Sequence, residues 1–100
     1  MEVEAGKYDS PQAQQKLIED LREKFGETFF VKPGQEWKPG TILWSGEGAE
    51  MPDHAEAFDY YSTNEALYTM GVHRDLEKWS SQRGLYWEAH DAGTWLAYYA

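Results

Sequence analysis

The chain has no cysteine, and between residues 41 and 73 it has no lysine or arginine. The first absence excludes a disulfide framework, a thiol nucleophile and any cysteine-ligated zinc or iron–sulfur centre. A secreted domain this small commonly carries disulfides, so a reducing, cytoplasmic setting is expected. Long apolar runs are missing too, and the opening MEVEAGKYDS has no apolar signal stretch. Neither a membrane span nor a leader is expected. No P-loop, dinucleotide fingerprint, HExxH, GxSxG or EF-hand pattern occurs, so no motif names a reaction. Gly46-Glu47-Gly48 is not a phosphate cradle, because its own carboxylate and the acids after it repel phosphate.

Aromatic residues are plentiful: 16 of 100, five of them Trp and seven Tyr. A disordered chain is poor in these residues. One hundred residues make one domain that needs a dense core. The expected organisation is a flexible stretch over 1–9 and a single domain over 10–100.

Helix signals come first along the chain. Ser10-Pro11 reads as N-cap and first helical residue, Leu17, Ile18, Leu21 and Phe25 form an apolar stripe, and Gly26 supplies a stop. The pattern predicts a helix over 10–26, with Asp20 and Lys24 as an outward i,i+4 pair. Thr28–Lys32, Thr41–Ser45 and Ala57–Ser62 read as strands from their β-branched and aromatic content. Residues 63–71 fit strand or helical turn equally. Val72, Leu76 and Trp79 at i, i+4, i+7, with Gly84 behind, predict a second helix near 72–83. Leu85–His90 and Thr94–Tyr99 flank Asp91-Ala92-Gly93, a hairpin whose turn places Gly93 in the left-handed region. The predicted fold is α+β, a four- or five-stranded antiparallel sheet with two helices on one face and a C-terminal hairpin. Strand Thr94–Tyr99 is a candidate sheet edge, open to self-pairing.

The net charge is −9 and unevenly spread. Residues 41–73 hold six acids and no Lys or Arg, so −6, whereas residues 1–40 hold eight acids and six bases, so −2. Such a surface repels nucleic acid and anionic membrane, and it speeds encounter with basic surfaces. Glu47, Glu50, Asp53, Glu56 and Asp59 recur every three residues and can present a row of negative charge in imitation of a phosphate backbone. A solvated loop kept for solubility is the plainer account of the same residues. Trp37, in a loop between two Pro-Gly pairs, and Tyr60 are the candidate aromatic anchors of a partner contact. Trp37 equally suits a lid folded back on the core, and Trp44, Trp87 and Trp95 suit the core.

Three other chemistries have candidate residues. His54, His73 and His90 beside Asp53, Asp75, Glu88 and Asp91 resemble a zinc donor set in type but not in spacing, so no metal or other cofactor is expected. Carboxylate pairs abound in any acidic protein and carry little information about glycoside chemistry. Tyr86, Glu88 and His90 share a strand face, which a solvent-facing row explains without catalysis.

The segment GVHRDLEKWSSQRGLYWEAHDAGTWLAYYA, from Gly71 to Ala100, resembles the C-terminal half of small phage and prophage proteins, with its helix, Gly84 and aromatic hairpin with an Asp-x-Gly turn at Asp91 and Gly93. The resemblance implies a phage accessory protein, similar in size and charge to anti-CRISPR and other anti-defence inhibitors, which would act in the host cytoplasm. Inhibitors of that type share no motif, so no residue roles carry over. The expectation is therefore a binding protein, not an enzyme. It would be a monomer or homodimer whose partner is a host protein with a basic nucleic-acid-binding surface (a nuclease, CRISPR effector or polymerase), with no direct contact to nucleic acid. A His/carboxylate metal protein or small enzyme, and a structural adaptor self-associating through the hairpin, are the alternatives.

Overall fold

A computed structural model describes residues 7–27, 29, 31–37, 40–46, 48–91 and 93–100. Helix α1 spans Pro11–Phe25. Ser10 caps it, its hydroxyl accepting from the Ala13 amide, and Pro11 occupies the first turn, where its missing N–H costs nothing. Gly26 closes the other end at φ 112°, its N–H donating to Arg22 O at 2.8 Å. Leu17, Ile18, Leu21 and Phe25 are buried, as their spacing predicts. Asp20 differs from expectation: it pairs with Lys16 at 3.1 Å.

The main sheet has the order β1-β2-β6-β5 and is antiparallel throughout. Its strands are β1 (Val31–Pro33), β2 (Leu43–Gly46), β5 (Leu85–Asp91) and β6 (Thr94–Tyr99). Two short strands, β3 (Tyr68–Thr69) and β4 (Val72–His73), form a separate hairpin, and helix α2 (Arg74–Ser81) follows directly. The domain is α+β, with a C-terminal hairpin.

Strand alternation sorts the sheet into two faces. Leu43, Ser45, Trp95, Ala97, Leu85 and Trp87 point toward the helices and are buried. Phe25 of α1 meets Trp79 of α2 edge-on at 6.4 Å, so both helices cover the same face. Trp87 ties α2 to the sheet by donating Nε1–H to Ser80 Oγ at 2.7 Å. Trp44, Leu96, Tyr86, Glu88 and Tyr98 lie on the opposite face. Trp37 folds onto that outer face, 5.6 Å from Trp44 and 5.0 Å from the His90 ring. The loop tryptophan packs on the outer face of the sheet, not on the helix-side core, and stays 38% exposed.

Several boundaries differ from the sequence reading. Of the stretch expected to be flexible, Tyr8 is buried and stacks on Tyr99 at 6.3 Å, its amide donating to Tyr99 Oη; residues 1–6 lie outside the described residues. Thr28 and Phe30, in the first expected strand, also lie outside them. Ala57–Ser62 is not a strand. It makes a single bridge, Phe58 to Val72, and Asp59 then turns the chain, its carboxylate accepting from the Tyr61 amide at 3.2 Å. Residues 64–67 form a turn on Asn64, and the ambiguous segment ends as β3. The second helix begins at Arg74, two residues later than expected, because Val72 and His73 are held as strand by Thr69 and Tyr68. β6 is interior, flanked by β2 and β5, and is not the expected edge; the edges are β1 and β5. The β5 ladder shifts register between Ala89 and Asp91, which extends the strand into the expected turn. Asp91 Oδ1 accepts from the Gly93 amide at 2.9 Å. The turn conformation expected there includes Ala92, which lies outside the described residues.

Candidate functional site

The acidic stretch is an arm laid over the helix-side core. Ala49, Met51, Ala57 and Phe58 are buried, while Glu50, Asp53 and Glu56 are turned to solvent. The arm doubles back on itself. Ala57 N donates to Ala49 O at 2.9 Å, Met51 N to Ala55 O at 2.8 Å, and Glu50 stands opposite Glu56 in an isolated antiparallel bridge. Like charges directly opposite one another are destabilising. The fold holds this pair in place through the buried apolar residues on either side of it. His54, at the tip with φ 70°, places its Nδ1 2.9 Å from Glu50 Oε1.

A second histidine fixes the arm to α2. His73 is 2% exposed. Its Nδ1 accepts from the Asp75 amide at 3.1 Å and caps the helix, which leaves the ring proton on Nε2, 2.8 Å from Asp53 Oδ2. Both ring nitrogens are engaged, so His73 is positioned as a strut rather than as a base or ligand. Among the described residues no group of three His, Asp or Glu stands close enough to hold a metal ion.

The Asp53 carboxyl is held below the usual carboxylate value, first by the Ala55 amide and then by the His73 ring. A lowered folded-state value means that this interaction stabilises the fold above the ordinary carboxylate range and is lost as pH falls through the lowered one. Asp53→Asn is expected to melt below the parent at pH 7, with the gap closing as pH falls below the ordinary carboxylate range and through the lowered value. A gap that stays constant across paired thermal melts would show that the carboxylate charge is immaterial.

Tyr68 reports where the other acids lie. Its hydroxyl donates to Glu56 O at 2.8 Å. Burial first, then the fields of Asp59, Glu56 and Asp53, push its phenol above the ordinary tyrosine value. The fields of three of the acids singled out in the sequence therefore reach one phenol, and Glu50 stands opposite Glu56. Glu47 lies outside the described residues. Tyr60 is half exposed near this arm, 6.4 Å from Trp95 and 5.0 Å from the Tyr61 ring. Trp37, on the outer face of the sheet, is not brought together with the acids.

Beside the arm runs a cleft of about 940 Å³, between strand β5 and residues 60–71. Tyr60, Tyr68 and Met70 form one wall; Tyr86, Trp87, Glu88 and Ala89 form the other. Trp95 lies at its base and is 1% exposed, and its Nε1–H has no acceptor among the described residues. The sequence reading missed this cleft because it took Ala57–Ser62 for a sheet strand. The missed signal was Met70-Gly71 between two short extended pairs, a two-residue hairpin turn. Both residues have positive φ, 51° and 83°, as a type I′ turn requires.

Compared with known protein families, curated proteins and solved structures, the chain gives no match.

Proposed function

We propose that the chain is a small acidic inhibitor, of the anti-CRISPR or anti-defence kind, that docks on the basic nucleic-acid-binding surface of a host nuclease, CRISPR effector or polymerase. The observation that carries this reading is the arm's charge arrangement: Glu50 opposed to Glu56, with the fields of Asp53, Glu56 and Asp59 all reaching Tyr68. A loop kept only for solubility has no reason to hold carboxylates against their own repulsion. Carried on a hydrogen-bonded backbone, they cost little backbone ordering on binding and present charge where a phosphate row would otherwise sit. Tyr60, half exposed and adjacent, supplies the apolar contact that slows dissociation. Trp37, across the sheet, is assigned to the fold rather than to this contact.

The test is displacement of a labelled DNA duplex from purified nucleases, CRISPR effectors and polymerases. With its target the chain is expected to displace DNA stoichiometrically, and the effect should fade as salt rises. Glu50→Lys combined with Glu56→Lys is expected to weaken displacement by about tenfold or more, a loss of at least ~1.4 kcal/mol. Glu19→Lys with Glu23→Lys, on the exposed side of α1, is the control and should change it less than about twofold. Equal losses from the two pairs would refute the assignment of the arm.

A further inference from the structure

The two edges of the main sheet are unequal. β1 is three residues long and ends in Pro33, which has no N–H to offer. β5 is seven residues long and carries neither Pro nor Lys. The hydrogen-bond phase of the sheet shows which of its groups are free. Ala97 O accepts from Ile42 N at 2.8 Å, so Ala97 turns its backbone toward β2; Gly84 O accepts from Ala100 N at 2.8 Å on the other side. In an antiparallel ladder these two phases agree. Trp87, opposite Ala97, and Ala89, two residues on, must direct their N–H and C=O away from β6. Among the described residues no backbone hydrogen bond meets them from that side.

That side is the cleft. Four consecutive residues, Tyr86 to Ala89, line it, and side chains of consecutive strand residues alternate between faces. The cleft therefore runs along the strand's edge. Its far wall presents Met70, 91% exposed in a left-handed conformation that β-turns reserve for Gly, Asn or Asp. Its charged residues are Glu65 and Glu88, and no Lys or Arg lines it.

We propose that this edge takes up an extended peptide segment of another protein as an added strand, one in which basic residues alternate with apolar ones. Strand addition satisfies the free groups of Trp87 and Ala89. The alternation follows from the pleat: one face of the incoming strand passes the carboxylate of Glu88 and the other the wall of Tyr60, Met70 and Trp87. Charge selects this occupant over a second copy of the chain. Two β5 edges paired with each other would bring Glu88 and Asp91 of both copies onto one ladder, in a chain of net charge −9. The proposal stands on the strand edge and shares only Tyr60 with the contact proposed for the arm.

The test is a titration with capped hexapeptides, followed through the backbone amide signals of the isotopically labelled protein. The Lys-Val alternating peptide is expected to bind below roughly 1 mM and to shift the amides of Trp87 and Ala89. A Glu-Val peptide should bind at least about tenfold more weakly, and a Lys-Val peptide N-methylated at alternate residues should not bind. Glu88→Lys should reverse the charge preference. Ala89→Pro removes an edge-facing N–H without touching the β6 ladder and should abolish binding. Met70→Asn, which suits the turn, should raise the melting temperature while weakening binding about threefold or more. Absence of binding by the Lys-Val peptide, equal binding by its N-methylated form, or indifference to Glu88→Lys each overturns the proposal. So does a dimer in light scattering that Ala89→Pro dissolves, which would make the second copy the occupant. DNA displacement lost while peptide binding persists would count only against the arm, and the reverse only against the edge.

Discussion

Gly34→Ala is expected to destabilise the domain by about 3 kcal/mol or more, an effect out of proportion to one methyl group. Gly34 is buried in the single 3-10 turn, Gly34–Glu36, that joins β1 toward β2, and its amide donates to Ile42 O at 2.9 Å. A Cβ built there would lie 2.6 Å from the Ile42 carbonyl carbon and closer still to the Thr41 carbonyl. All three atoms are backbone, so no side chain can swing aside. The two segments have to part, which also breaks the Gly34–Ile42 bond and leaves a buried donor without a partner. Taking about 4–8 °C per kcal/mol for a domain of this size, the melting temperature should fall by roughly 12–25 °C. Gly40→Ala is the informative comparison. Gly40 has φ 93°, but its Cβ would meet nothing within 4 Å, so only the left-handed penalty of about 1–2 kcal/mol applies. Urea melts that gave the two variants equal losses would mean that the approach of Gly34 to Thr41 is not tight.

Elements whose residues report their own environment were legible in the sequence. α1 has a cap, a proline, an apolar stripe and a glycine stop, and each of these signals is local. The hairpin β5–β6 is equally explicit, because both arms carry Trp and Tyr around an Asp-x-Gly turn. The middle of the chain was not legible, for a physical reason. Phe58, Tyr60 and Tyr61 have strand propensity, but a strand needs a partner along its length, and Asp59 spends its carboxylate on a turn after one bridge. His73 shows the same limit from the other side. Its role depends on Asp53, twenty residues away in the chain, and no spacing rule connects them. The acids of the arm were visible as a charge pattern. That the fields of Asp53, Glu56 and Asp59 meet at Tyr68 depends on the return of the chain at Glu50 and Glu56, which spacing alone does not encode. The cleft was the least visible feature, since it exists only because β6 lies inside the sheet and β5 at its edge.

Phe58→Ala is expected to cost roughly 3–5 kcal/mol, a large share of the ~5–15 kcal/mol that holds a small domain together. The Phe58 ring stacks on Trp95 at 4.9 Å and 16°, meets Trp87 edge-on at 5.1 Å, and its backbone bridges Val72. It is the point where the acidic arm, the β3–β4 hairpin and the main sheet are joined. Truncation removes the apolar burial and leaves a cavity bounded by two indoles, which are too large to collapse into it. Phe58→Leu keeps most of the volume and should cost less than about 2 kcal/mol. The two variants should also differ in where the loss is felt. The Met51 and Ala57 amides are bonded within the arm and rely on Phe58 to stay there, whereas the amides of β6 are bonded to strands on both sides. In Phe58→Leu, hydrogen exchange of the arm amides should quicken while that of β6 stays slow, because the arm opens as a unit of lower stability than the sheet. Equal acceleration at both places would mean that arm and sheet unfold together. The carboxylates of the arm would then be carried on a backbone as stable as the core.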